Sequence, residues 1–188
     1  MQSLKKTTNF LLAFFSIMLL SAQGEMKSVE GYSPQIGYVV YMLEDLKDRI
    51  TEQVKDLDQS QTDFLYDEDA NSIGALVMHL VSTEAYYQIE TIAGRQWTED
   101  EQQRLGIAAG LNLKTKKELK NKPIQYYLDL WDEVREKTLS GLKTKDDAWF
   151  ASSLEEGLNY HYIWYHVMEH SANHMGQIAT VKNRLPKQ

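Results

Sequence analysis

The five histidines of this 188-residue chain fall in two short segments, His79 alone in one and His161, His166, His170 and His174 in the other. Imidazole is the commonest side-chain ligand for transition metals, and three neutral imidazoles leave a metal with an open position for water or substrate, the pattern of a catalytic rather than a closed structural site. Residues four apart on an α-helix lie about 40° apart around the axis and about 6 Å along it, so His166, His170 and His174 form a ladder on one face. Neighbouring rungs can share an ion. The outer two cannot, because about 12 Å of rise separates them and a metal–nitrogen bond spans only about 2.1 Å. Spacing leaves the pairs 166/170 and 170/174 both open. His79, beside the apolar Leu76 and Leu80 on a different element, is the candidate third ligand. Imidazole suits zinc, nickel, copper or iron. The competing role for each histidine is packing in a core or facing solvent, and for His166 a position beside the ligands, orienting one of them. His161, at the start of its helix, is expected on the surface or at a cavity rim.

A second motif overlaps the first. His166-Val167-Met168-Glu169-His170 matches H-x-x-E-H, the inverted zinc-peptidase pattern in which the Glu acts as general base. Such a site also needs a distant acidic ligand, and no Asp or Glu follows His170. The peptidase assignment therefore lacks its third ligand, and Glu169 reads as a solvated or salt-bridged helix residue.

Four long helices must position these residues. Ser33-Pro34 looks like an N-cap followed by Pro at the first helical position, and Val39, Met42, Leu43, Leu46, Ile50, Val54 and Leu57 continue at helical spacing. Asn71-Ser72 starts a second helix, with Ile73, Leu76, Val77 and Leu80 on one face; it carries His79 and runs to Gly94. A third opens at Lys122-Pro123, places Ile124, Tyr127, Leu128, Trp131, Val134 and Thr138 together and closes near Gly141. The fourth runs from about Asn159 to Arg184, before Pro186. No segment alternates with a period of two, so the expected fold class is all-α, a four-helix bundle. The link from Gly94 to Lys122 is long enough for a crossover and holds a capping-box pattern, Thr98-Glu99-Asp100-Glu101, that predicts a short helix.

Composition limits the function classes. Apolar residues at 43% are enough for a packed core in one domain, and a formal charge of -7 disfavours nucleic acid and anionic lipid surfaces. The chain has no cysteine, hence no disulfide and no thiolate nucleophile. Lys5 and Lys6 precede an uncharged apolar run from Phe10 to Leu20 that ends in Ser21-Ala22-Gln23-Gly24. Basic, apolar and small residues in that order read as a secretory signal peptide over 1–24, leaving a domain over 25–188 with a charge of -9 and an exported, periplasmic or secreted location. The run is shorter than the roughly 20 residues that span a bilayer, and an uncleaved anchor is the alternative.

Two stretches carry a resemblance to a known family. Asn71-Ser72-Ile73-Gly74 leading to His79, and Tyr162-Ile163-Trp164-Tyr165-His166 continuing through His170-Ser171-Ala172-Asn173-His174-Met175-Gly176-Gln177, resemble the DinB-like, or YfiT-like, metal-binding four-helix bundles, and the match extends over nearly all of the domain. The resemblance implies an up-down-down-up bundle with a long crossover between helices two and three. It also implies His79, His170 and His174 as ligands of a divalent metal ion, with zinc or nickel favoured. Family members commonly read His-His-Arg-Gly-Gln where this chain has Asn173-His174-Met175-Gly176-Gln177. The ligand is kept; the Arg, which could pair with an anionic substrate or thiol cofactor, is Met175. Gly176 and Ala172 are expected to let a neighbouring helix approach, and Gln177 to hydrogen-bond near the ligands. The resemblance implies a metal-dependent transferase using a low-molecular-weight thiol on a small-molecule substrate; export makes a hydrolase equally admissible. The alternatives are a non-catalytic metal-binding or stress-associated module, and an interaction domain whose histidines bind nothing. Tyr86, Tyr87, Tyr126 and Tyr127 are candidates for a pocket wall or a homodimer face.

Overall fold

The computed structural model describes residues 25–111 and 118–186; the expected signal peptide lies outside the described residues. Helix α1, Pro34–Val54, begins with Pro at the first turn and buries Ile36, Val39, Val40, Leu43, Leu46, Ile50 and Val54, an apolar stripe at the spacing read from the sequence. Ser33 caps it by conformation only, since its hydroxyl donates to Asp147 at 2.6 Å. Leu57 lies beyond the helix end and packs against the core from there. A one-turn helix, α2 (Gln59–Thr62), follows with a capping box at Asp58.

Helix α3, Ile73–Tyr87, starts where Ser72 accepts a hydrogen bond from the Ala75 amide. It is buried on almost every side, from Ile73 through Met78 to Ala85, and is the centre of the bundle. At Gly74 an added Cβ would stand 2.7 Å from the Tyr127 ring, so only glycine lets the two helices approach this closely. The helical pattern reaches Gly94 as expected, but its last turn, Gln88–Ala93, is a π-helix held from outside by Gln88 Nε2, which donates to the Val134 carbonyl at 2.7 Å and to Thr138 Oγ1 at 2.9 Å. Gly94, at φ 63°, then turns the chain away through the left-handed conformation that glycine adopts without penalty.

The link holds α4, Glu99–Arg104, with the expected capping box between Thr98 and Glu101, and a 3₁₀ turn at Gly106–Ala108. Leu105 and Ala108 are buried in the core around α3, which pins this part of the link to the bundle. Pro123 is the N-cap of α5, Ile124–Leu142; α6 is the short Asp147–Ala151. A small antiparallel hairpin, β1 (Ser153–Glu155) and β2 (Leu158–Asn159), then leads through the Asn159 cap into α7, Tyr160–Lys182. The four long helices form a ring: α3 packs against α5 and α7, and α1 against α7 and α5, so that α1 and α3 face each other across the diagonal. Among the described residues the fold is all-α apart from that hairpin. No described helix is long and apolar enough to cross a membrane.

Candidate metal centre

The ladder on α7 and the single histidine on α3 meet where those helices pack. His170 Nε2 lies 3.1 Å from His79 Nε2 and 3.1 Å from His174 Nε2, and the donor atoms of all three lie within 4.8 Å of one another. A tetrahedral ion bound at about 2.1 Å separates its nitrogen ligands by about 3.4 Å, and the two spacings to His170 are within a few tenths of an ångström of that value. Of the two pairs that spacing left open, the structure brings 170/174 together with His79.

The outer faces of the rings decide which way the lone pairs point. His79 Nδ1–H donates to the Ala108 carbonyl at 2.6 Å, and His174 Nδ1–H donates to Gln177 Oε1 at 3.1 Å. A carbonyl oxygen only accepts, so both rings carry their proton on Nδ1 and turn a bare Nε2 toward His170. At most one of these two lone pairs can be satisfied by His170. Three imidazole nitrogens that converge with too few protons between them are suited to a cation.

Burial keeps the rings in the form that ligates. It lowers the affinity of His79 for a proton, against the pull of its bond to Ala108. His174 is lowered by burial and by His79, with Gln177 and Glu169 acting in the other direction. His170 is pushed down to about 3, by burial first and then by the neighbouring His174, His79 and His166. A neutral, deprotonated nitrogen is what a divalent ion requires.

The cluster opens on one side into a cavity of about 340 Å³, bounded by His79 and His170 with Thr83, Tyr86, Tyr87 and His166. A larger one, about 400 Å³, lies beyond Gln177 among Tyr66, Asp67, Asn71 and Asn173, and none of the three imidazoles lines it. The smaller cavity is the one placed for chemistry.

The family model described as mycothiol S-transferase matches residues 38–186, which takes in nearly all of α1 and everything through the end of α7. The chain belongs to the mycothiol S-transferase family. This is a DinB-like family, in agreement with the resemblance seen in the two histidine segments. No curated protein matches the chain.

Against the family pattern, the remaining candidates separate clearly. His166 sits one turn above the cluster, its ring centroid 5.7 Å from that of His170, and its Nδ1 is 3.4 Å from Glu169. It lines the cavity without converging on the other three, and Glu169 is exposed on the same helix. His161 stacks on Phe150 at 4.4 Å, on the surface. Gly176 is exposed with nothing within 4 Å of its Cβ position, so the expected close helix approach there is not made. Gln177 does hydrogen-bond to a candidate ligand, as expected. Tyr86 and Tyr87 line the cavity, whereas Tyr127 is wholly buried in the core. The Ala108 carbonyl could not have been foreseen: it is a backbone group, and nothing in a side-chain pattern signals it.

Proposed function

We propose that the protein is a metal-dependent S-transferase acting on a small molecule, in which His79, His170 and His174 hold a divalent cation, zinc or nickel, through Nε2. The observation that carries this is the convergence of three Nε2 atoms, two of them oriented by Nδ1–H bonds, beside a cavity of small-molecule size that His79 and His170 line. A divalent cation there supplies Lewis acidity, favouring the thiolate form of a thiol and stabilising charge that develops on its partner. The chain's own residues do the rest. Ala108 and Gln177 fix the ring tautomers, and burial keeps His170 neutral across the physiological range. The family description supplies the thiol, mycothiol or a low-molecular-weight thiol like it. Where family members commonly carry an Arg, this chain has Met175, so any anionic group of the thiol is held without that guanidinium. The order of charge and hydrophobicity over 1–24 supports export, with the domain working in a periplasmic or secreted location; N-terminal sequencing of the mature protein tests this, and an intact Met1 on exported protein would refute cleavage.

Metal content of untagged protein tests the site. The expected result is one divalent ion per chain, and close to none in a His170→Ala, His174→Ala double variant that remains folded; equal content in the two would remove the site. Conjugation of the thiol to an aryl halide tests the reaction. Stoichiometric metal with no conjugate would favour the non-catalytic metal-binding module.

A further inference from the structure

A hydroxyl on a helix satisfies itself by bonding back to its own backbone, and this chain shows the habit repeatedly. Thr91, Thr138, Ser140, Ser171 and Thr180 each donate to the carbonyl four residues earlier, at 2.6 to 3.1 Å. Ser82 reaches across to the Leu105 carbonyl instead. Thr83, its neighbour, does neither. It has no hydrogen-bond partner among the described residues, and its oxygen is not one of the buried, unpartnered atoms. Thr51 also lacks a partner, but its oxygen is sealed from solvent. Thr83 lines the cavity beside the histidine cluster.

Two facing ladders give the place of that hydroxyl. On α3, His79, Thr83 and Tyr87 follow one another at four-residue spacing, and on α7 His166 and His170 do the same. His79 meets His170 with ring centroids 4.8 Å apart, and Tyr87 meets His166 at 5.9 Å. The helices therefore run antiparallel here, and Thr83 stands at the level between these two contacts. Side chains of an α-helix lean toward its N-terminus, which tilts Thr83 back over the turn that carries His79. His79 and His170 line the cavity and His174 does not, so the cluster is reached from the side where Thr83 stands, within about 6 Å of rise along α3.

Resting on the transferase reading, we propose that Thr83 holds the incoming ligand: its hydroxyl donates to the anionic atom bound beside His79 and His170, which in the transfer reaction is the thiolate sulfur. A hydrogen bond to a charged acceptor contributes more than one between neutral groups. The electron count of the sulfur permits it. Once the thiol has passed its proton to solvent, the sulfur has three lone pairs. One goes to the cation, one accepts the Thr83 hydrogen bond, and the third is left to form the bond to carbon. Thr83 thus fixes the direction in which that third pair points.

The test loads the protein with cobalt(II), whose visible absorption reports the ligand at its open position, and titrates 2-mercaptoethanol and azide at fixed pH. Thr83→Val keeps the shape of the side chain without the hydroxyl and is expected to weaken both probes about tenfold, whereas Thr83→Ser stays within about threefold of wild type. Cobalt affinity by chelator competition is expected to be the same in all three, and circular dichroism checks that the variants fold. Unchanged probe affinity in Thr83→Val, or a fall in cobalt affinity as large as the fall in probe affinity, would overturn the proposal, as would a protein that takes up no cobalt. If wild type binds azide and no thiol, the transferase reading fails, and the role of Thr83 stands or falls on the azide difference alone.

Discussion

Helix α3 carries two polar clusters, and they answer burial in opposite ways. Glu84 is 1% exposed, and each of its oxygens is matched: Oε1 accepts from Arg135 Nε at 2.7 Å, and Oε2 from Trp131 Nε1 at 2.9 Å and Arg135 Nη2 at 2.8 Å. Arg135 spends its remaining donor on the Leu43 carbonyl and Glu44, both at 2.7 Å, and so ties α5 to α3 and α1 at once. Burial pushes the Glu84 carboxyl up, yet the Arg135 charge and the hydrogen bonds outweigh it and leave the group below the usual carboxylate range. In the histidine cluster burial wins instead, and the inward nitrogens have more lone pairs than protons. A buried polar group with all its partners inside the chain is structural; convergent nitrogens with too few protons between them are suited to a cation.

The comparison is broken most directly at Glu84. Glu84→Ala takes from the buried Arg135 its buried partner, leaving only the half-exposed Glu44 to pair with it, and is expected to cost about 3 kcal/mol in urea unfolding, with metal content per folded molecule unchanged. Glu84→Leu with Arg135→Met should restore most of the loss, since well-packed apolar residues can replace a buried pair. A loss under about 1 kcal/mol for Glu84→Ala would mean the pair is not the structural cluster described.

Next in size, Gln177→Ala removes the acceptor that orients His174, and metal affinity measured by chelator competition should fall about 10- to 100-fold with the metal-free stability little changed. An unaltered affinity would detach Gln177 from the site.

Acid should separate the two clusters in the metal-free protein. His170 titrates near 3 when folded and near its ordinary value of about 6.5 when unfolded, so between those values the unfolded chain binds more protons and stability falls as pH is lowered. Neutral His170 thus favours the fold above about pH 6.5, and that advantage is lost progressively toward pH 3. Stability curves of wild type and His170→Ala should therefore cross about one pH unit below 6.5, with the variant the more stable at lower pH; parallel curves would show that the ring is not held neutral. The smallest effect is His170→Ala itself at neutral pH without metal, expected to cost under about 1 kcal/mol because the half-buried ring leaves no unpaired charge behind.

Much of this was legible in the sequence, and the gaps have physical reasons. Ser72, Thr98 and Asn159 cap helices as their types suggest, and the apolar stripes of α1 and α5 match the buried faces. Helical rise alone excluded a site spanning His166 and His174. It could not choose the partner of His170, because that depends on how α3 packs on α7. The π-turn at Gln88–Ala93 was invisible for a similar reason: it is held by Gln88 reaching α5, a contact that no local pattern encodes. The hairpin before α7 is too short to show a period.

The Ala108 carbonyl has one more consequence, for the order of events in folding. It stands 29 residues along the chain from His79. The bond that aims the His79 lone pair therefore forms only after the link has turned back and seated Leu105 and Ala108 in the core. Bundle helices that assemble before that seating would present His170 and His174 without an oriented third ligand. If the cluster holds a metal as proposed, its capture comes after the link is seated, and a refolding chain should gain its helical signal before it gains a tightly held ion.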